Sequence, residues 1–225
     1  MTTERPPRDY DAVLFDMDGV LLQGVTSLPE VYREGAHDVI ESEGLAVPED
    51  VLPRLEKYAY DEQMERACRR VGIDPERFWQ LREQAASRRA NRLLANGSRD
   101  LFPDTAVIPE LPTTVGVVSN NRDATVRFVA DELLPGDFAL AMGREPTVDG
   151  FRKRKPNSYY LKRALDRLGV DDALYVGDRQ SDIEAAYGAG IDGAFLRRDH
   201  NGTMTPEPEP TVELNGLADL RSLLE

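Results

Sequence analysis

Cysteine is nearly absent. Cys68 stands alone in 225 residues, so no internal disulfide can form and a cysteine-based structural zinc site is excluded. Histidine is scarce as well: His37 and His200 sit in polar stretches with no second ligand at metal spacing, and both are expected to be ordinary surface. Lysine is rarer than the charge total suggests, because the 28 basic residues are 24 Arg and 4 Lys, namely Lys57, Lys153, Lys155 and Lys162. Each lysine is therefore informative. No run approaches about 18 consecutive apolar residues, and the opening Met-Thr-Thr-Glu-Arg-Pro-Pro-Arg has no apolar segment behind its charges. A soluble cytoplasmic protein is the expectation.

Carboxylate is abundant. Asp and Glu number 41, which gives a net charge of −13 and a sequence pI near 4.7. So negative a surface repels phosphodiester backbones and anionic lipid, and no basic stripe interleaves with aromatics, so neither nucleic acid nor membrane is an expected partner. Hydrophobic residues make up 40% of the chain, enough for a sizeable core and too many for intrinsic disorder. Excess carboxylate with scarce lysine suits a halophilic protein, since at about 1 M salt the Debye length shrinks to about 3 Å and self-repulsion is screened. A GC-rich genome writing Arg for Lys is the other reading.

Short apolar runs alternate with longer amphipathic stretches, the pattern of a parallel sheet crossed over by helices. The runs at 12–15, 114–118, 138–141, 173–176 and 193–196 are predicted strands. Residues 16–113 are far too long for one crossover, so an inserted subdomain is expected there. Its amphipathic segments at 29–43, 49–60, 62–71 and 75–95 predict an all-helical insertion, broken at Gly44 with Pro48 and at Gly72 with Pro75, and stopped by Asn96-Gly97. Phe78, Trp79, Leu93 and Leu94 fall on one face, which reads Trp79 as core. Further helices are predicted at 123–134, 157–168, 183–187 and 217–224, with the Pro206–Pro210 stretch as an extended connector.

Three predicted strands end in polar clusters, and in open α/β sheets ligands bind beyond the carboxyl ends of strands. The first is Asp16-Met17-Asp18-Gly19. Two carboxylates so close repel and need a cation or a shared proton; a hard, oxygen-liking ion such as Mg²⁺ would satisfy them, and Gly19 would let an anion approach backbone N–H groups. An ordinary turn explains the same residues. Ser119-Asn120 ends the second strand and could donate to an oxyanion, or simply turn the chain. Asp178 and Asp182, at i,i+4, share one face at a helix start, either as metal ligands or as caps. Lys155, before Pro156 at a helix opening, offers a point charge to a phosphate, or belongs to a solvated Arg152-Lys153-Arg154-Lys155 run.

Together and in this order, the four clusters resemble the haloacid dehalogenase-like superfamily over residues 9–20 and 101–224, and the insertion is similar to the helical cap of its phosphoglycolate phosphatase and β-phosphoglucomutase branch. The resemblance implies an α/β fold: a Rossmann-like parallel sheet core (1–22 and 98–225) with an inserted all-helical cap subdomain (23–97). It implies that Asp16 is a nucleophile forming an aspartyl-phosphate and Asp18 a general acid and base. Mg²⁺ would bind Asp16, the Asp18 backbone carbonyl, Asp178 and Asp182, while Gly19, Ser119, Asn120 and Lys155 hold the phosphate. The expected activity is a phosphatase on a small phosphorylated metabolite. Alternatives are a phosphomutase or a non-catalytic module that binds a phosphometabolite.

Two positions depart from the branch's pattern. Val20-Leu21-Leu22-Gln23-Gly24 replaces the common continuation with a carboxylate near the cap hinge, and Asn157-Ser158 follows Lys155-Pro156. Neither is a catalytic position. Arg92, Arg99, Tyr60, Gln63 and Arg66 are the unranked candidates for substrate contacts.

Overall fold

The computed structural model describes residues 9–24 and 29–224. In chain order the elements are β1 (Ala12–Phe15), α1 (Pro29–Ser42), α2 (Leu52–Glu56), α3 (Glu62–Arg70), α4 (Pro75–Ala95), a 3-10 helix (Pro103–Glu110), β2 (Thr114–Arg122), α5 (Asp123–Glu132), β3 (Leu140–Arg144), α6 (Val148–Arg152), α7 (Tyr159–Leu168), β4 (Ala173–Gly177), α8 (Gln180–Ala189), β5 (Asp192–Leu196), a 3-10 turn (Asp199–Asn201), β6 (Val212–Leu214) and α9 (Asp219–Leu224). The chain divides into two compact units, one of residues 1–25, 99–144 and 153–225, the other of 26–98 and 145–152.

The larger unit is built on a six-stranded sheet in the order β3-β2-β1-β4-β5-β6. Every pairing is parallel. β1 reads Ala-Val-Leu-Phe and is buried on both faces, as a central strand under helices on both sides requires. Ala12 and Leu14 pack with Tyr160, Leu161 and Ala164 of α7 and with Ala185 and Ala186 of α8. The chain leaves β1 toward β2 on one side and returns to β4 on the other, so the connections diverge above β1 and β4. That switch point is where an open sheet leaves a crevice. β6, at the edge, follows the Pro-rich connector and is only three residues long.

β2 runs on through Ser119, Asn120 and Asn121 to Arg122, with a register irregularity against β3 between Val118 and Arg122. The polar cluster, for which a simple turn was one of the two readings, is thus strand, and the register shift re-aims its side chains. β3 lies later than predicted, at Leu140–Arg144, where Gly143 lets the two backbones close: a Cβ there would sit 2.6 Å from Asn121 O.

The helical unit has its own core of Ala36, Val39, Leu55, Met64, Cys68, Phe78 and Trp79, joined by Val148 of α6. α3 and α4 start where short aspartate side chains cap them. Asp74 accepts the Arg77 N–H (2.8 Å) at α4, with Pro75 in the first turn, and Asp61 accepts the Met64 N–H (2.9 Å) at α3. Trp79 is fully buried as predicted, whereas Leu93, assigned to the same face, is 39% exposed. α2 is shorter than its sequence pattern because the chain turns extended at Lys57, where Arg82 Nη1 takes the Leu55 and Lys57 carbonyls (3.1 and 3.0 Å). That guanidinium is buried against the Trp79 ring, 4.4 Å from its centroid. Burial pushes the Cys68 thiol up to about 12, so it is an inert core residue. Among the described residues, no helix is long and apolar enough to cross a membrane.

Candidate active site

β1 and β4 are neighbours in register, Phe15 opposite Val176, so the residues that follow them, Asp16 and Asp178, emerge side by side. Asp182 joins them from the first turn of α8. Carboxylate oxygens of Asp16, Asp178 and Asp182 all lie within 4.8 Å of one another, and all three residues are buried. Lys155 reaches them from a turn over residues 154–157, closed by the Asn157 N–H on Arg154 O (3.0 Å). Its Nζ lies 3.0 Å from Asp16 Oδ1 and 2.6 Å from Asp182 Oδ1. It also donates to the Tyr175 hydroxyl (2.5 Å), which in turn donates to Val118 O (2.7 Å).

Asp182 serves two purposes at once. Its Oδ2 accepts the Asp178 and Arg179 N–H groups (3.1 and 3.0 Å), which starts α8 three residues earlier than predicted, while Oδ1 faces Lys155. The cap reading of this residue holds, and the same side chain stands among the buried carboxylates.

Three buried carboxylates against one buried ammonium leave excess negative charge, and the titration directions follow. Burial pulls Lys155 down, but the Asp16 and Asp182 carboxylates outweigh it and hold its pKa above the usual lysine value. Asp182 is pushed up to about 6, chiefly by burial, against the attraction of Lys155 and with the repulsion of Asp16 and Asp178. Asp178 is raised by burial and by Asp16, with His200 acting the other way. Asp178 Oδ1 is buried without a hydrogen-bond partner. An all-oxygen donor set with surplus negative charge and buried oxygens of Asp16, Asp178 and Asp182 left without hydrogen-bond partners fits a hard divalent cation.

The carboxylate of Asp18 stands outside that trio. Arg99 Nη1 donates to its Oδ1 (2.6 Å) and Asn121 Nδ2 to its Oδ2 (2.8 Å). Arg99 also ties down the chain after β1, with Nε on Gln23 O (2.7 Å) and Nη2 on Gly24 O (2.6 Å). Asn120 holds Lys155 by its backbone, its Oδ1 accepting the Lys155 N–H (2.8 Å) and its Nδ2 donating to Lys155 O (3.2 Å). The Ser119 hydroxyl accepts the Asn121 N–H (3.3 Å), a bond that uses a lone pair and not its proton. Gly19 was expected to let an anion approach backbone N–H groups; its own N–H is given to Leu22 O (2.9 Å). What its missing side chain admits is Asp178: at φ +85°, a Cβ would lie 2.3 Å from Asp178 Oδ2.

His200 is exposed, as predicted, yet its Nε2 lies 2.6 Å from Asp178 Oδ2. It, Asn121, Arg99 and Tyr175 are the site neighbours that spacing along the chain did not rank; each meets its partner across at least 20 residues.

The profile of the haloacid dehalogenase-like hydrolases matches residues 10–190. The chain belongs to that family. As a haloacid dehalogenase-like hydrolase it is similar to a phosphoglycolate phosphatase of Pectobacterium atrosepticum, 27% identical over 93% of this chain and 90% of the relative. Among solved structures it resembles CbbY from Rhodobacter sphaeroides in complex with phosphate (TM-score 0.61, 20% identity, 94% of this chain and 96% of the other). It also resembles a 2-haloacid dehalogenase from Pseudomonas syringae (TM-score 0.59, 22% identity, 96% and 98%). At such identities the structural likenesses bear on the fold alone.

Proposed function

We propose that this hydrolase is a Mg²⁺-dependent phosphatase that cleaves a small phosphate monoester by way of an aspartyl-phosphate. The observation that carries the reading is the buried meeting of Asp16, Asp178 and Asp182 on Lys155, with Asp18 beside them but bound to other partners. Asp16 is the nucleophile: a carboxylate oxygen attacks phosphorus as the ester oxygen leaves, and the P–O bond lost is replaced by one to Asp16. Asp18 gives its proton to the departing alkoxide, then takes one from the water that attacks phosphorus in the second half. Lys155 offsets the repulsion between the carboxylate and the phosphate dianion, and Ser119 offers a hydroxyl proton to a phosphoryl oxygen. Asn120 acts by holding Lys155, and Gly19 by admitting Asp178. Mg²⁺, held by Asp16, Asp178 and the Asp18 carbonyl with Asp182 in support, would neutralise charge on the transferring group.

Dehalogenation fits these residues poorly, although one solved structure of like fold is a dehalogenase. A departing halide needs no proton donor and carries no phosphoryl charge to neutralise, so neither Asp18 nor the carboxylate trio would have a task. The relatives named for phosphoglycolate align over nearly the whole chain, which makes phosphoglycolate the first substrate to try.

The test is phosphate release from a panel of monoesters, phosphoglycolate and sugar phosphates included, with and without Mg²⁺. It is run at low salt and in molar KCl, because we read the acidic excess as salt adaptation. Mg²⁺-dependent turnover, abolished in Asp16→Asn, is expected. Turnover unaffected by that substitution contradicts the mechanism, and an isomerised sugar phosphate in place of free phosphate moves the reading to a mutase.

A further inference from the structure

His200 is held against the end of β4 by a well-fastened loop. Asn201 Nδ2 donates to Asp178 O and Leu196 O (both 2.9 Å), and its Oδ1 accepts the Arg198 N–H (2.8 Å). Arg198 is itself pinned by two bonds to Asp104 (2.8 and 3.0 Å) and one to Val20 O (2.8 Å). So secured, the turn presents His200 Nε2 2.6 Å from Asp178 Oδ2. A carboxylate oxygen only accepts, so with Asp178 ionised Nε2 carries the hydrogen.

The two oxygens of Asp178 therefore differ. Oδ2 is taken by His200 and flanked by Gly19, whose backbone leaves no room there even for a methyl group. Oδ1 is buried with no hydrogen-bond partner. We infer that His200 fixes Asp178 as a one-oxygen metal ligand, Oδ1 offered to the cation and Oδ2 withheld, and so biases the site toward Mg²⁺ over Ca²⁺. Mg²⁺ takes six ligands in strict octahedral geometry, to which a carboxylate contributes one oxygen; Ca²⁺ takes six to eight and readily accepts both oxygens of one carboxylate. The inference rests on the reading of Asp16, Asp178 and Asp182 as the metal site. His200 is a positioning residue in this account, acting through Asp178.

Calorimetric titration of the full chain with MgCl₂ and with CaCl₂ tests it without any assay of turnover. In His200→Ala, Mg²⁺ affinity is expected to fall about 10- to 100-fold, with a smaller loss for Ca²⁺, so that the Mg²⁺ preference narrows. His200→Gln, whose amide N–H can reach the same oxygen, is expected to restore most of it. Should His200→Ala not fold, His200→Leu, which keeps bulk without a donor, carries the same expectation. Unchanged or tighter Mg²⁺ binding without the histidine, or equal losses for both ions with no rescue by Gln, overturns the inference and leaves the metal site standing. A wild-type chain that binds neither ion, while Asp178→Asn behaves identically, overturns the metal site itself.

Discussion

The two units differ in the charge they bury, though both carry ion pairs on their surfaces. In the helical unit ion pairs lie at the surface, many of them one turn apart: Lys57 with Asp61, Glu62 with Arg66, and Glu65 with Arg69, beside longer-range pairs such as Arg77 with Glu43. Its buried interior is mainly aromatic and aliphatic, with the lone thiol kept neutral by burial and the charged side chains of Arg82 and Glu83 at adjacent positions of one helix rather than gathered at a site. In the sheet unit Asp16, Asp178, Asp182 and Lys155 are buried together beyond the ends of β1 and β4. Surface pairs of the first kind contribute roughly 0–1 kcal/mol each and are screened by salt. Buried charges of the second kind are costly unless something compensates them, and they persist where chemistry needs them.

The comparison breaks first at Arg99. If that guanidinium aims the Asp18 carboxylate, Arg99→Gln lowers kcat by about 10- to 100-fold for alkyl phosphates, in line with what a misplaced catalytic group costs. p-Nitrophenyl phosphate, whose leaving group needs no proton, should lose far less. Equal losses for both esters would mark a structural role only.

A second probe is the gain in melting temperature on adding Mg²⁺. The folded-state pKa of Asp182, about 6, lies above its ordinary value of 3.8, so the stability from its bound proton is present at low pH and lost as pH rises through about 6. A cation competes with that proton and replaces what it supplied. The Mg²⁺-induced gain should therefore grow between pH 5 and 7, approaching about 2.7 kcal/mol at a hundredfold excess over Kd. A gain that is flat or shrinking with pH would contradict the electrostatics drawn for the trio. The smallest effect belongs to the helical surface. Glu65→Ala, which breaks the 2.7 Å pair with Arg69, should cost under about 0.5 kcal/mol in denaturant melts and leave turnover unchanged.

How legible the chain was depended on whether a feature is local. β1 and α4 were predicted to their end residues because an apolar run and a capped, proline-started helix announce themselves within a few positions. The four polar clusters were legible for the same reason, each being a short local motif. β6 and α6, with three and five residues, are too short to show periodicity, and the 3-10 helix at Pro103–Glu110 has no 3.6-residue period to find. The partners of these clusters were hidden by distance. Asn121 and Arg99 meet Asp18 across 103 and 81 residues, and nothing in the polar stretch around His200 signals that a turn returns it to Asp178. Gly19 was singled out for the space its missing side chain leaves, and what occupies that space is a carboxylate 159 positions later.

The claim on which the rest depends is that Asp16 carries the phosphoryl group. Incubating Asp18→Asn with Mg²⁺ and a turned-over monoester, quenching in acid and mapping peptides by mass spectrometry tests it directly, because loss of the acid and base slows water's attack by roughly 10²- to 10⁴-fold and lets the intermediate accumulate. The account predicts a phosphoryl group on Asp16 and on no other residue. Phosphate released with no labelled peptide, or a label on a different side chain, would contradict it.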